Sequence, residues 1–291
     1  ATGWRGRFVV VGFAAGEIVP GAYLVQFNRE ALGLDGSPTP SKMRGALELE
    51  TLRLQDTGWF RTKRVLVNAY TISIEATDDV ARRLALDPHI ASVTPDRVVR
   101  AFARPPRTPS PTPTPSETTP AGVARIGAAP GSLAYTGLGV GVAIADTGID
   151  LAHGDLAVGA SCFSAFEGTT CADDHSHGTH VAGIVAALDN DADVVGVAPA
   201  ATTYAVKVLN AQGSGSDESI IAGLEWVWAN ANLVTPPIRV VNMSLGRPGT
   251  LNDSPPLRAA IQTLAGSGIA VIVSAGNDQS LEVSQNVPAT Y

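Results

Sequence analysis

Gly139-Val-Gly-Val-Ala-Ile-Ala145 is a short apolar run that leads directly into Asp146-Thr147-Gly148, and three similar runs follow it. They are Thr203-Tyr-Ala-Val-Lys-Val-Leu209, Ile238-Arg-Val-Val-Asn-Met243 and Ile269-Ala-Val-Ile-Val-Ser274. Stretches with helical patterning, such as His180–Leu188 and Ser219–Ala229, lie between them. Strands that are apolar on both faces and alternate with helices predict a parallel, doubly wound α/β sheet. Such sheets place their sites at the C-terminal ends of strands. Asp146, Ser244 and Asn277 each directly follow an apolar run, which makes them the first candidates for a site.

Working back from this region, residues 104–120 hold seven prolines and read as an extended, exposed linker. Linkers of this kind are where proteolysis concentrates. Ahead of it, Gly21–Phe27 alternates like a strand, and Met43, Leu47 and Leu54 recur at roughly helical spacing within Ser41–Leu54. A strand is expected around Val65–Ile74. A helix opened by Thr77 carries Asp78 and Asp79 in its first turn, and a last strand over Ile90–Phe102 contains Pro95. This β-α-β-α-β order predicts a small α+β domain over residues 17–103, with the larger domain over 121–291. Residues 1–16 have a basic start, an apolar middle and a small-residue end. They read either as the tail of a signal peptide or as an ordinary N-terminal strand.

Composition narrows the function classes. With 45% apolar residues, 30 glycines and 16% charged residues, the chain can build a packed α/β core. No stretch approaches the roughly 20 apolar residues of a membrane-spanning helix. The net charge of −7 is uneven: the balance is +4 up to Arg107 and −11 beyond it. A mildly basic part followed by an acidic one suits two units that attract each other. The acidity of the second part argues against a nucleic-acid partner, which needs clustered Lys and Arg. The two cysteines, Cys162 and Cys171, form no CxxC motif. They would close a surface loop in a secreted protein and stay free thiols in a cytosolic one.

Five landmarks occur in order. Ala145-Asp146-Thr147-Gly148-Ile149-Asp150, His177-Gly178-Thr179-His180-Val181-Ala182-Gly183 and Ser274-Ala275-Gly276-Asn277 resemble the aspartate, histidine and oxyanion-asparagine motifs of the subtilisin-like serine protease family. Gly196-Val-Ala-Pro199 and Ser244-Leu245-Gly246 are similar to further landmarks of that family. The first domain resembles the family's inhibitor-like propeptide through Tyr23-Leu-Val and Thr94-Pro-Asp-Arg-Val-Val99. The resemblance implies a secreted endopeptidase precursor acting on polypeptides. It would be monomeric, bind no membrane, and be chaperoned and inhibited by its own propeptide. Asp146 would orient His177, the general base, and Asn277 would donate to the oxyanion. Gly213-Ser214-Gly215 and Ser244-Leu245-Gly246 would pair with an extended substrate, and Ala275 and Gly276 would line the pocket before the scissile bond. A structural calcium would be held by Asp155, Leu188, Asn190, Ala192 and Val194, since hard oxygen donors suit that ion. Cys162 and Cys171 would be a disulfide, and processing would fall after Ala103, between it and Arg104.

Each motif also has a plainer reading. Asp146-Thr-Gly alone is turn chemistry, and Asn277 alone is a turn or cap residue. Gly213–Ser216 also reads as a flexible loop, and Leu188–Val194 as a solvated acidic loop. The crowded Asp173-Asp-His-Ser-His-Gly-Thr-His180 admits a metal site. The Gly-Thr-Ser segment that carries the family's nucleophile does not occur in these 291 residues. The expectation is therefore a chain cut before its serine, inactive as it stands. The rival is a protease-binding or inhibitory module attached to an inert catalytic remnant.

Overall fold

The computed structural model describes residues 15–34, 38–55, 58–102, 117–132, 134–278 and 280–291. The N-terminal tail and the Pro-rich segment 103–116, with Ala103 and Arg104, lie outside the described residues. Thr39 opens the first helix by accepting the Lys42 amide, with Pro40 at the first helical position, where a missing N–H costs nothing. Thr77 opens the second in the same way, with Asp78 and Asp79 complementing its N-terminal dipole. In chain order the first part is β1 (Ile18–Phe27), α1 (Pro40–Leu54), β2 (Phe60–Leu66), β3 (Thr71–Ala76), α2 (Asp78–Leu84) and β4 (Ile90–Ala101).

The strand expected over Val65–Ile74 is in fact two. The chain turns through a 3-10 turn at Val67–Ala69 and a left-handed Tyr70 (φ 52°), so β2 and β3 pair antiparallel. No glycine or proline marks this reversal, and Asn68 alone interrupts the apolar run from Val65 to Ala69, so the sequence conceals it. The unit is therefore β-α-β-β-α-β, with helices over one face of an antiparallel sheet. Leu47, Leu54, Ile72, Ile74 and Leu84 are at its core.

The second part contains α3 (Ala121–Arg125), β5 (Gly141–Asp146), β6 (Phe163–Ser164), α4 (His177–Ala186), β7 (Thr202–Lys207) and β8 (Ser214–Ser216). It continues with α5 (Asp217–Asn230), β9 (Ile238–Met243), β10 (Leu245–Pro248), α6 (Pro255–Gly266), β11 (Ala270–Val273) and β12 (Asn286–Val287). The sheet β11-β9-β5-β7-β6 is parallel throughout, as the apolar runs predict. Ala143 and Ala145 face the layer of α5 and α6, while Val142 and Ile144 face α4. One strand thus feeds two cores, the mark of a sheet covered on both faces. Among the described residues no helix is long and apolar enough to cross a membrane.

The two parts are joined by a second sheet of order β12-β10-β4-β1-β3-β2, in which β8 also pairs with β4. β4 therefore belongs to the first unit's sheet at one end and runs into the second unit at the other. Charged pairs back this joint on α5: Arg64 meets Glu218 at 2.6 Å and Arg44 meets Glu225 at 3.0 Å. Glu225 also accepts the Val67 amide at 2.8 Å.

Candidate active site

Asp146 is the last residue of β5, fully buried, and it pairs with Lys207, the last residue of β7. His177 is the first residue of α4. The strand end and the helix start meet closely because Gly178 has no side chain: a Cβ there would come within 2.1 Å of the Gly148 carbonyl. Gly148 itself has φ 109°, which only glycine adopts readily. The result is a hydrogen bond of 2.8 Å between His177 Nδ1 and Asp146 Oδ1, with the Thr147 amide donating to the same oxygen at 2.7 Å. The Asp146 hydrogen bond is the largest influence on His177 and, despite burial, holds its pKa above the ordinary value. The Asp146 charge, the Phe102 carbonyl and the Asp173 charge act in the same direction.

The cleft beside this pair holds a strand of the chain itself. Val98, Val99 and Arg100 pair with Ser216, Gly215 and Ser214 on one side. On the other side Arg100 and Ala101 pair with Gly246 and Leu245. The Ala101 amide donates to the Gly213 carbonyl at 2.9 Å and the Phe102 amide to the Ser244 carbonyl at 3.2 Å. Gly213–Ser216, which also read as a flexible loop, is thus largely strand β8. The Phe102 carbonyl ends this ladder. It accepts from Asn277 Nδ2 at 3.0 Å and lies within hydrogen-bonding reach of His177. The Phe102 ring lies over Gly246, where a Cβ would come within 2.6 Å of it. Ala275 and Gly276 follow β11 in the loop that carries Asn277, and the Gly276 amide donates to Ser274 Oγ.

Asp155, 4% exposed, accepts from Asn190 Nδ2 at 3.1 Å, and its own carbonyl accepts the Leu188 amide. Asn190 Oδ1 accepts the Ala192 amide, and Val194 bridges to Thr118. Sequence reasoning passed over Glu117, whose carboxylate accepts the Asn190 amide at 2.9 Å. It stood in the presumed linker, but it is the one acidic residue between Asp96 and Asp146, which was the available signal. Asp155, buried and without an ion pair among the described residues, and Glu117 bring two carboxylates to Asn190, oxygen chemistry of the kind a hard divalent cation takes, while Asn190 turns Nδ2 rather than Oδ1 towards Asp155.

Cys162 and Cys171 form a disulfide. Among the described residues no three His, Cys, Asp or Glu side chains converge as a metal site, so the histidine-rich segment has no support as one. From sequence, Phe102 and Asp96 read only as the ends of a strand leading towards the cleft, with no contact assigned to either side chain or carbonyl.

The profile of the subtilase family (peptidase S8) matches residues 137–291. Subtilisin E of Bacillus subtilis (strain 168) is 38% identical over 229 residues, covering 77% of this chain and 54% of that protein. Subtilisin DY of Bacillus licheniformis is 46% identical over 162 residues, covering 54% of this chain and 55% of that protein. Subtilisin of Bacillus pumilus is 43% identical over 180 residues, covering 60% and 62%. The chain spans about half the length of the curated relatives it matches first. With more than half of its residues in the family's profile, this chain belongs to the subtilase family.

Proposed function

We propose that the chain is the precursor of a subtilisin-like serine endopeptidase, with residues 17–102 as its inhibitory propeptide. One observation carries this: the Phe102 carbonyl, at the end of a strand paired on both sides, is held by Asn277 beside the Asp146–His177 pair. A reacting peptide carbonyl needs that position. The serine nucleophile is not among residues 1–291 by motif, and the rest of the protein supplies it in this reading. His177 Nε2 takes the hydroxyl proton while Asp146 keeps Nδ1–H in place and stabilises the imidazolium. Asn277 Nδ2 donates to the oxygen that gains charge. The serine oxygen bonds to the Phe102 carbonyl carbon, the Phe102–Ala103 C–N bond breaks as His177 returns the proton to the leaving amine of Ala103, and a water then hydrolyses the acyl-enzyme with His177 again as base.

This places the cut one residue before the Ala103–Arg104 bond expected from sequence. Gly213–Gly215 and Ser244–Gly246 bind substrate backbone, with Ala275, Gly276 and Gly246 around the preceding side chain. Asp155, Leu188, Asn190, Ala192 and Val194, joined by Glu117, hold a structural calcium in this reading. The disulfide suits an oxidising, extracellular setting.

N-terminal sequencing of the complete, self-processed protein is the test. A mature form starting at Ala103 is expected, and His177→Ala is expected to remain uncut and unlabelled by a fluorophosphonate probe. A first cut upstream of Ile90, or labelling that survives His177→Ala, would overturn the proposal.

A further inference from the structure

Helix α4 presents His177, yet the side chain of its own N-cap residue caps none of its amides. Ser176 sits at φ 79° and makes no side-chain cap hydrogen bond. The first amides of a helix need acceptors, and here they find them on a side chain that stands outside the helix. Asp173 Oδ1 accepts from the His175 and Ser176 amides, each at 2.9 Å, and from Thr147 Oγ1 at 2.8 Å. Asp173 Oδ2 accepts from the Thr179 amide at 2.9 Å and from Thr179 Oγ1 at 2.6 Å.

Five donors thus converge on one half-buried carboxylate. Two come from the loop before His177, two from the residue two places after it, and one from the residue next to Asp146. Thr147 closes the circuit, because its Oγ1 also accepts the Gly178 amide at 2.9 Å. Each member of the Asp146–His177 pair therefore has a chain neighbour tied to the same carboxylate. The loop that carries Asp173 is itself anchored to the strand end. The Asp173 amide donates to the Ile149 carbonyl at 3.0 Å, and the Ile149 amide donates to the carbonyl of disulfide-bonded Cys171.

We propose that Asp173 is a positioning residue that sets the distance and angle between Asp146 and His177. It touches neither the substrate strand nor the reacting atoms. It acts by holding the start of α4 and the end of β5 in one hydrogen-bonded unit. The inference rests on the reading of Asp146 and His177 as the catalytic pair. Burial raises the Asp173 pKa, but the hydrogen bonds from Thr179, His175 and Thr147 outweigh it and keep it below the ordinary value. Asp173 is thus a carboxylate whenever His177 titrates. Other charged or titratable groups around His177 are Asp146 and His175, whose ring lies 6.4 Å away. Asp174, paired with Lys207, flanks the segment.

The test uses the full 291-residue chain, where the proton on His177 Nδ1, hydrogen-bonded to Asp146, gives a low-field NMR resonance that His177→Ala removes. Asp173→Asn is expected to shift or broaden that resonance and to lower the pH at which His177 titrates, because one acceptor pair and one negative charge are lost. In the complete protease the same change is expected to lower kcat by about 10²-fold with KM little altered, the scale of a 1 Å misplacement. Should Asp173→Asn fail to fold, Thr179→Val and Thr179→Ser decide. The first is expected to disturb the resonance and the second, which keeps the hydroxyl, to restore it. An unchanged resonance and titration in Asp173→Asn overturns the proposal, as does equal behaviour of the two Thr179 variants. If the wild-type chain lacks the resonance altogether, the catalytic-pair reading falls first, and this one with it.

Discussion

Asp96 offers the most exposing test of how the two units are joined. It lies in β4, 3% exposed, and its Oδ1 accepts from the Arg97 and Glu218 amides at 3.0 Å each. It therefore caps α5 from the neighbouring unit. Three carboxylates meet there, and they are not equally compensated. Asp217 has Arg247 in a buried two-point pair of 3.0 and 2.8 Å, and Glu218 has Arg64. Asp96 has no ion pair among the described residues. Burial first, then the charges of Glu218 and Asp217, push its pKa from 3.8 up to about 7.

Set against this, the start of α5 favours an anion by about 1 kcal/mol. A rise of about three units corresponds to roughly 4 kcal/mol at 1.36 kcal/mol per unit, so a range of about 2–4 kcal/mol is reasonable. The sign follows from the raised value. The contribution is fully present below the ordinary carboxylate range and is lost as pH rises through about 7. Asp96→Asn keeps the amide acceptor and removes the charge. It is expected to match wild type near pH 4 and to exceed it by about 2–4 kcal/mol at pH 8. Urea unfolding at a series of pH values measures the difference between the two chains, which cancels the other titrating groups. A difference that does not change with pH, or a variant that is less stable at pH 8, would refute the reasoning.

Two further outcomes are expected. Gly246→Val should clash with the Phe102 ring, since even a Cβ lies 2.6 Å from it. It should slow processing at residue 102 by tenfold or more, and Phe102→Ala in the same protein should recover part of the loss; no recovery would contradict the packing. Calcium is expected to raise the melting temperature of the complete protein and excess chelator to lower it, because an ion bound only by the native state stabilises it. Asp155→Ala should abolish that difference, and a melting temperature indifferent to chelator would count against the site.

The parallel sheet was legible in the sequence because its strands are buried on both faces and so read as uninterrupted apolar runs, as at Val142–Ala145. The Asp146–His177 pair was legible because strand-end polarity and local motif coincide there. Less was legible where structure depends on distant partners. The β2–β3 reversal at Asn68–Tyr70 carries no glycine or proline and only Asn68 as a turn residue, so the pairing of the two strands is what reveals it. Glu117 reads as linker until Asn190 comes to meet it. Asp96 reads as one residue of the last strand and of the Thr94–Val99 motif, and only docking against α5 buries its carboxylate. Asp173 was visible as one of a crowded acidic and histidine-rich group, but its five donors come from both sides of a folded loop.

The two-sided ladder around β4 also acts as a filter on sequence. Its last two rungs are the amides of Ala101 and Phe102. A proline at either position has no N–H to offer and would break the ladder next to the Phe102 carbonyl. The chain obeys this rule in its own composition: no proline occurs from Asp96 to Arg104, while Pro95 stands just before that window and seven prolines crowd residues 105–120 just after it. Between residues 105 and 115, Arg107–Thr108 is the one pair of consecutive residues that keeps both amides, so nearly every forward register of the chain there loses a rung.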